Sequence, residues 1–330
     1  MMRKLSIATL AAAVALAAVP AFAAQDQWPS RPITIIGGFP NGSGVDLYAR
    51  KLGQGLSETL GVPVVVEART GAGGNIASDA VARAQPDGYT FLLGTAGTHA
   101  INAALYSNLS FDVWKDFSHI ALLGDVPNVL TVNPKKHPDI HACKDLLALA
   151  RNNPGKLNYA STGNGTSGHL AGAQFAKQAG VEITHVPYRG QGPAMTALLS
   201  GEVDFFFNQS APSIAAVNAG QVRALAVTTS APLKALPGVP TVAEGCGLPG
   251  YESSTWYGLF GPADLPDDIR KRFSDAVIAE ISKPEFQHWL SDLQGITPPA
   301  DPSPAAFERV HKVDIARWAE VVKQSGARVD

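Results

Sequence analysis

Apolar residues in this chain fall into short continuous runs. Nearly every run ends in a cluster of Gly, Ser, Thr or Asn, and the cluster leads into a segment whose apolar positions recur every three or four residues. Continuous apolar runs fit strands buried on both faces, and the longer spacing fits amphipathic helices. Residues 32–38 run into Phe39-Pro40-Asn41-Gly42-Ser43-Gly44 and a helix over 45–60, and residues 63–67 run into Gly71-Ala72-Gly73-Gly74-Asn75 and a helix over 76–84. The device returns at 157–160, followed by residues 161–168 and a helix over 169–179, and at 183–187, followed by Tyr188-Arg189-Gly190-Gln191-Gly192 and a helix over 194–200. Further strands are expected at 89–94, 203–207 and 224–228, and helices at 143–152, 267–282, 285–293 and 304–325. Strands alternating with helices predict the α/β class with largely parallel sheets.

The pattern restarts once. Residues 126–134 read as a strand bounded by prolines that crosses into a second lobe, and the Pro/Gly-rich 236–250 reads as a return crossing, with a strand at 256–260 rejoining the first. The expected organisation is lobe 1 from residues 24–125 plus 250–330, lobe 2 from 126–249, and a hinge of two crossings suited to closing over a small ligand. A rigid two-domain protein of the same topology is the other reading.

Residues 1–23 have the form of a secretory signal peptide: Arg3-Lys4, an apolar stretch over 5–19, and Ala21-Phe22-Ala23 before the cut. The stretch is shorter than the roughly 20 residues that span a bilayer, so the expected mature protein is exported to the periplasm. Its loss takes the 26 basic residues to 24 against 28 acidic, moving the net charge from −2 to −4. That balance leaves no basic stripe for nucleic acid. Cys143 and Cys246 are the two cysteines; an oxidising compartment permits a disulfide, but the spacing alone leaves the pairing open.

The loops carry the candidate chemistry. A helix N-terminus has unpaired N–H groups and a partial positive charge, and a loop without bulky side chains lets an anion approach both. Gly42, Gly44, Gly73, Gly165 and Gly190 leave backbone N–H groups accessible, while Asn41, Ser43, Thr95, Thr98, Thr162, Asn164, Thr166, Ser167 and Asn208 are neutral donors. Neutral donors hold an anion without burying an unpaired cation. The loops at 41–44 and 162–167 are expected to share one carboxylate, with Thr95, Thr98, Arg189 and Asn208 facing the rest of the ligand. Arg189, the one cation in the four loops, either clamps a second carboxylate or sits on the rim. His99 and His169 either bond to backbone or donate to the ligand. Asp46, in the first turn of its helix, is expected to organise the loop. Phe39, Tyr188 and Phe205 to Phe207 either wall an apolar pocket or pack as core.

Several of these segments together resemble the Bug family, the substrate-binding proteins of tripartite tricarboxylate transporters. They are Trp28-Pro29-Ser30-Arg31-Pro32-Ile33, the loop 39–46, Pro63-Val64-Val65-Val66-Glu67, Pro86-Asp87-Gly88-Tyr89-Thr90, residues 159–170, Val186-Pro187-Tyr188-Arg189-Gly190 and Pro240-Thr241-Val242-Ala243-Glu244. The resemblance implies a two-lobed periplasmic-binding-protein type II fold. It further implies capture of a carboxylate by the loops at 39–44 and 161–168, and delivery to membrane transporter subunits, by a monomer with no catalytic residues, cofactor or metal. Asn41 stands where many relatives have Gly or Pro, so the ligand, a dicarboxylate either aliphatic or aromatic, is not inherited from them.

Other classes find less support. Gly163-x-Gly165-x-x-Gly168 imitates a dinucleotide fingerprint, but Glu182 precedes its strand where a ribose-binding acid would end one. A secreted hydrolase of a carboxylate ester lacks the Gly-x-Ser-x-Gly elbow, and no His-Glu-x-x-His occurs for zinc. A ligand-binding sensor would share the same cleft.

Overall fold

The computed structural model describes residues 28–325, so the signal peptide and its cleavage site lie outside the described residues. The first part runs β1 (Ile33–Gly37), α1 (Gly44–Leu60), β2 (Val64–Ala68), α2 (Asn75–Ala82), β3 (Thr90–Thr95), α3 (Asn102–Leu105) and β4 (Phe117–Val126). Next come β5 (Asn128–Val132), α4 (Cys143–Asn152), β6 (Leu157–Ser161), α5 (Ser167–Ala179), β7 (Ile183–Pro187), α6 (Gln191–Ser200), β8 (Phe205–Gln209), α7 (Ser210–Asn218), β9 (Arg223–Val227) and α8 (Val242–Gly245). The chain ends with β10 (Thr255–Pro262), α9 (Asp267–Ile281), α10 (Pro284–His288) and α11 (Pro304–Ser325).

These strands form two five-stranded sheets, ordered β2-β1-β3-β10-β4 and β7-β6-β8-β5-β9. The two share one plan: three parallel strands, then an antiparallel strand, then an edge strand. In each sheet the antiparallel strand follows a crossing from the other sheet. Pro127 alone separates β4 from β5, because a residue without an N–H cannot continue a ladder; the single strand expected over 126–134 is therefore the end of one strand and the whole of another. The return crossing lies alongside, since Thr228 N–H donates to Asn128 O at 3.0 Å and Ser253 N–H to Thr228 O at 2.9 Å. α11 braces both sheets, with Trp318 and Val322 sharing a cluster with Leu170 of α5.

Local chemistry accounts for the elements that were legible. α1 buries Val45, Tyr48, Ala49, Leu52 and Leu56 at helical spacing, starts at the N-cap Ser43 and stops at Gly61, whose φ of 71° suits a left-handed cap. Phe205 and Phe207 pack on one face of β8 and Phe206 on the other, all fully buried. They are core, and do not wall a pocket. Cys143 opens α4 and Cys246 follows α8; their Cα atoms are 5.0 Å apart and the sulfurs are bonded.

Candidate ligand-binding cleft

A cleft lies between the two sheets. Phe39, Pro40 and Ser43 come from the loop after β1, Thr95 and Gly97 from the end of β3, and Gly73 from the turn before α2. The facing wall is Thr162, Gly165, Thr166 and Ser167 after β6, Gly190 and Gln191 after β7, and Gln209 at the end of β8, while Thr255 at the start of β10 adds to the first wall. Every one of these side chains is uncharged. Ser43, Thr166 and Gly190 are the N-caps of α1, α5 and α6, so three helix N-termini open on one space.

The first loop is held by its own helix. Ser43 Oγ accepts from Asp46 N–H at 3.3 Å, and Asp46 Oδ2 accepts from Gly42 N–H at 2.9 Å. Asp46 is buried and paired with Arg50 at 2.9 Å. Its carboxylate is spent on the loop and on Arg50, in keeping with an organising role. Asn41 is exposed and its Oδ1 accepts from Arg50 at 3.4 Å, which turns it away from the cavity. Gly42 is exposed as well and borders a separate groove. Gly44 is buried behind Ser43.

The opposite loop is tied to two stacked imidazoles. The His169 and His185 rings are stacked nearly parallel, 4.0 Å apart. Gly165 N–H donates to His169 Nδ1 at 3.2 Å, and Ser161 Oγ bonds His185 Nε2 at 2.6 Å. His169 is thus an acceptor toward its own loop, and the Gly165 N–H expected to face the ligand is engaged by that ring. Burial pushes His169 down to about 4, and burial together with the neighbouring His169 pushes His185 down to about 3. Both folded values lie below the ordinary value of about 6.5, so the unfolded chain takes up these protons first. The stability contributed is complete above about pH 6.5 and is lost as pH falls toward the folded values, at up to about 1.4 kcal/mol per pH unit for each histidine. Urea unfolding is expected to show a clearly lower stability at pH 5 than at pH 7; a flat profile would show that these rings do not fold as buried neutral groups.

The remaining sequence-derived residues divide. Thr98 is buried, exchanging hydrogen bonds with Thr95 and bonding His99 Nδ1 at 2.8 Å; of this pair, Thr95 is the one on the cleft wall. His99 sits in an aromatic cluster, stacked 4.1 Å from Phe260, and its backbone oxygen bonds His311 Nε2. Asn164 is half-buried with its backbone oxygen near Gly73. Arg189 is exposed and stands outside the lining. Asn208 is buried with both amide atoms unpaired, also outside the lining. Tyr188 Oη donates to Glu202 at 2.7 Å, away from the cavity. The cleft residues that sequence reasoning passed over are Pro40, Gly97, Gln191, Gln209 and Thr255. Pro40 and Gln191 lie within the first and fourth glycine loops and were within reach of that signal, whereas Gln209 and Thr255 come from strand ends that carry no loop signature.

Among the described residues, no hydroxyl on the cleft wall bonds a histidine; Ser161, which does, is buried outside the lining. Ser167 Oγ donates to Asn128 Oδ1 at 3.2 Å and Ser43 Oγ accepts from backbone, so the histidines of the site serve other partners. Two lobes joined by paired crossings, with uncharged loops and helix N-termini facing across a cleft, define the solute-binding class of receptor. The chain belongs to the tripartite tricarboxylate transporter receptor family, which its residues 48–327 match. Protein BugT of Bordetella pertussis is 33% identical over 328 residues, covering 98% of each chain. Among solved structures, R. palustris Rpa4515 with adipate is 35% identical, with a TM-score of 0.87 over 92% of this chain and 100% of that one. MatC (Rpa3494) from Rhodopseudomonas palustris with bound malate is 31% identical, with a TM-score of 0.81 over 89% and 99%.

Proposed function

We propose that this protein captures a small organic dicarboxylate in the periplasm and presents it to the membrane subunits of a tripartite tricarboxylate-type transporter. It acts as a monomer without cofactor or chemistry, after cleavage behind Ala23. The observation that carries this reading is the convergence of the N-termini of α1, α5 and α6 on one uncharged cavity. Their partial positive charges favour an anion, and the hydroxyls of Ser43, Thr95 and Thr162 add neutral donors, while that of Thr166 is spent on Gly163 O at 2.8 Å. The lobes, residues 24–125 with 250–330 and residues 126–249, close about the two crossings.

Dicarboxylates are favoured because two relatives above 30% identity carry adipate and malate. An aliphatic spacer is favoured because Phe39 is the lone aromatic side chain on the cleft wall among the described residues. A thermal-shift panel of mono-, di- and tricarboxylates, aliphatic and aromatic, with sugars, amino acids and NAD as controls, tests this. A ligand at about 100 times its Kd stabilises the native state by about 2.7 kcal/mol, roughly 5–10 °C for a chain of this size. The expected rise is confined to aliphatic dicarboxylates; none with any carboxylate, or one with NAD, would sink the proposal.

A further inference from the structure

One hydrogen bond joins the two sheets at the cleft itself. Tyr257 belongs to β10 of the first sheet and Gln209 ends β8 of the second, and Tyr257 Oη donates to Gln209 Oε1 at 2.7 Å. The phenol is held firmly: it is fully buried, and its ring meets Tyr48 edge-on at 5.8 Å. Tyr48 in turn donates its own hydroxyl to Leu123 O at 2.8 Å. Gln209, by contrast, is a wall of the cavity. A carboxamide has one acceptor oxygen and an NH2 with two donors. With the oxygen taken by Tyr257, the NH2 is the part left to serve the cavity.

Gly44 supplies the second observation. A Cβ at this first residue of α1 would lie 2.6 Å from Tyr257 Oη and 2.8 Å from Gln209 Oε1. The positive end of α1 can reach the pair only because residue 44 has no side chain. Of the three groups meeting here, Gly44 and Tyr257 move with the first sheet and Gln209 with the second.

We propose that Tyr257 and Gln209 form a latch that fastens the closed lobes and turns the Gln209 NH2 onto a ligand carboxylate. Gln209 is the group that contacts the ligand, and Tyr257 is a positioning residue that acts through it. Opening separates the pair and returns both polar groups to water, so the bond discriminates closed from open rather than folded from unfolded. The inference rests on the receptor reading above.

The test uses mature protein with adipate as the probe, or whichever carboxylate the panel selects in its place. Stopped-flow kinetics are combined with the distance between spin labels at exposed Gln54 of α1 and Thr196 of α6. Tyr257→Phe should raise the dissociation rate roughly tenfold, the worth of about one hydrogen bond, and leave association nearly unchanged, because the latch forms after encounter. The labels should report a larger open population in ligand. Gln209→Glu keeps an oxygen for Tyr257 but sets a like charge against the ligand, and should weaken binding by roughly 100-fold or more. Gly44→Ala should reproduce the Tyr257→Phe distances. The latch is overturned if Tyr257→Phe releases ligand at the wild-type rate with unchanged distances. It is also overturned if association slows as much as dissociation speeds up and the ligand-free melting point drops in step, which is the mark of a purely structural tyrosine. A wild-type protein that binds no carboxylate of the panel removes the receptor reading, and the latch with it; wild-type binding with unaltered variants removes the latch alone.

Discussion

Gly165→Val is expected to abolish carboxylate binding while the protein stays folded. Gly165 has a φ of 75°, and a Cβ there would lie 2.6 Å from Leu105 Cδ2 and 2.7 Å from Asn102 Oδ1. Both neighbours belong to α3, across the cleft from the loop after β6. Neither can yield: Leu105 is buried in its cluster, and Asn102 Nδ2 is tied to Asn75 Oδ1 at 2.6 Å and Gly73 O at 3.2 Å. A branched side chain would therefore prop the lobes apart where the third loop meets α3 and the second loop. The same substitution places a β-branched residue in the left-handed region, costing about 1–3 kcal/mol. At about 2–4 °C per kcal/mol for a large domain, the ligand-free melting point should fall only a few degrees to about 10 °C. Calorimetry should show affinity down by at least roughly 100-fold, since an open cleft presents half of its donors at a time. Retained affinity would mean that the lobes do not close onto this loop.

Removing the Cys143–Cys246 bridge is the other large effect. The two residues are 103 apart in sequence, so the bond closes a loop containing β6 through β9, most of the second sheet. Constraining a loop of that order is worth up to about 4.7 kcal/mol in the chain-entropy account, and native bridges commonly contribute about 2–5 kcal/mol. Both cysteines are buried among Leu146, Leu147 and Tyr251, so the reduced pair remains packed and the loss should come mainly from the freed unfolded chain. Urea unfolding of Cys143→Ala/Cys246→Ala is expected to shift to lower midpoint by that amount, with a closely similar loss for wild type under reductant. An unchanged midpoint would show that the second lobe does not depend on the crosslink.

The elements legible in the sequence were those whose burial follows a single period. α1 and α11 each turn one apolar stripe inward, and strands precede the four glycine loops as the apolar runs predict, but β2 and β7 are edge strands and are not buried on both faces. β4 was not legible, because Ser118, His119 and Asp125 interrupt its apolar run; His119 is buried there because His311 on α11 bonds it at 2.8 Å, a partner 192 residues away. α7 was missed because Pro212 and small residues blur its period, although a proline in the first turn costs a helix nothing that it has not already lost.

The site divides along the same line. Glycine and hydroxyl loops opening helices are local features, fixed by which residues tolerate left-handed backbone and which leave N–H groups bare, and so the chain by itself determined the α/β class, the helix N-termini and their preference for an anion. Side-chain direction and the meeting of distant strands are not local. That Asn41 turns to Arg50, that His169 accepts from Gly165, that Cys143 reaches Cys246, and that Gln209 and Tyr257 meet at Gly44 were decided only by the tertiary structure. Such contacts depend on how two sheets are set against each other, and that setting is a sum of many small packing energies that no short stretch of sequence contains.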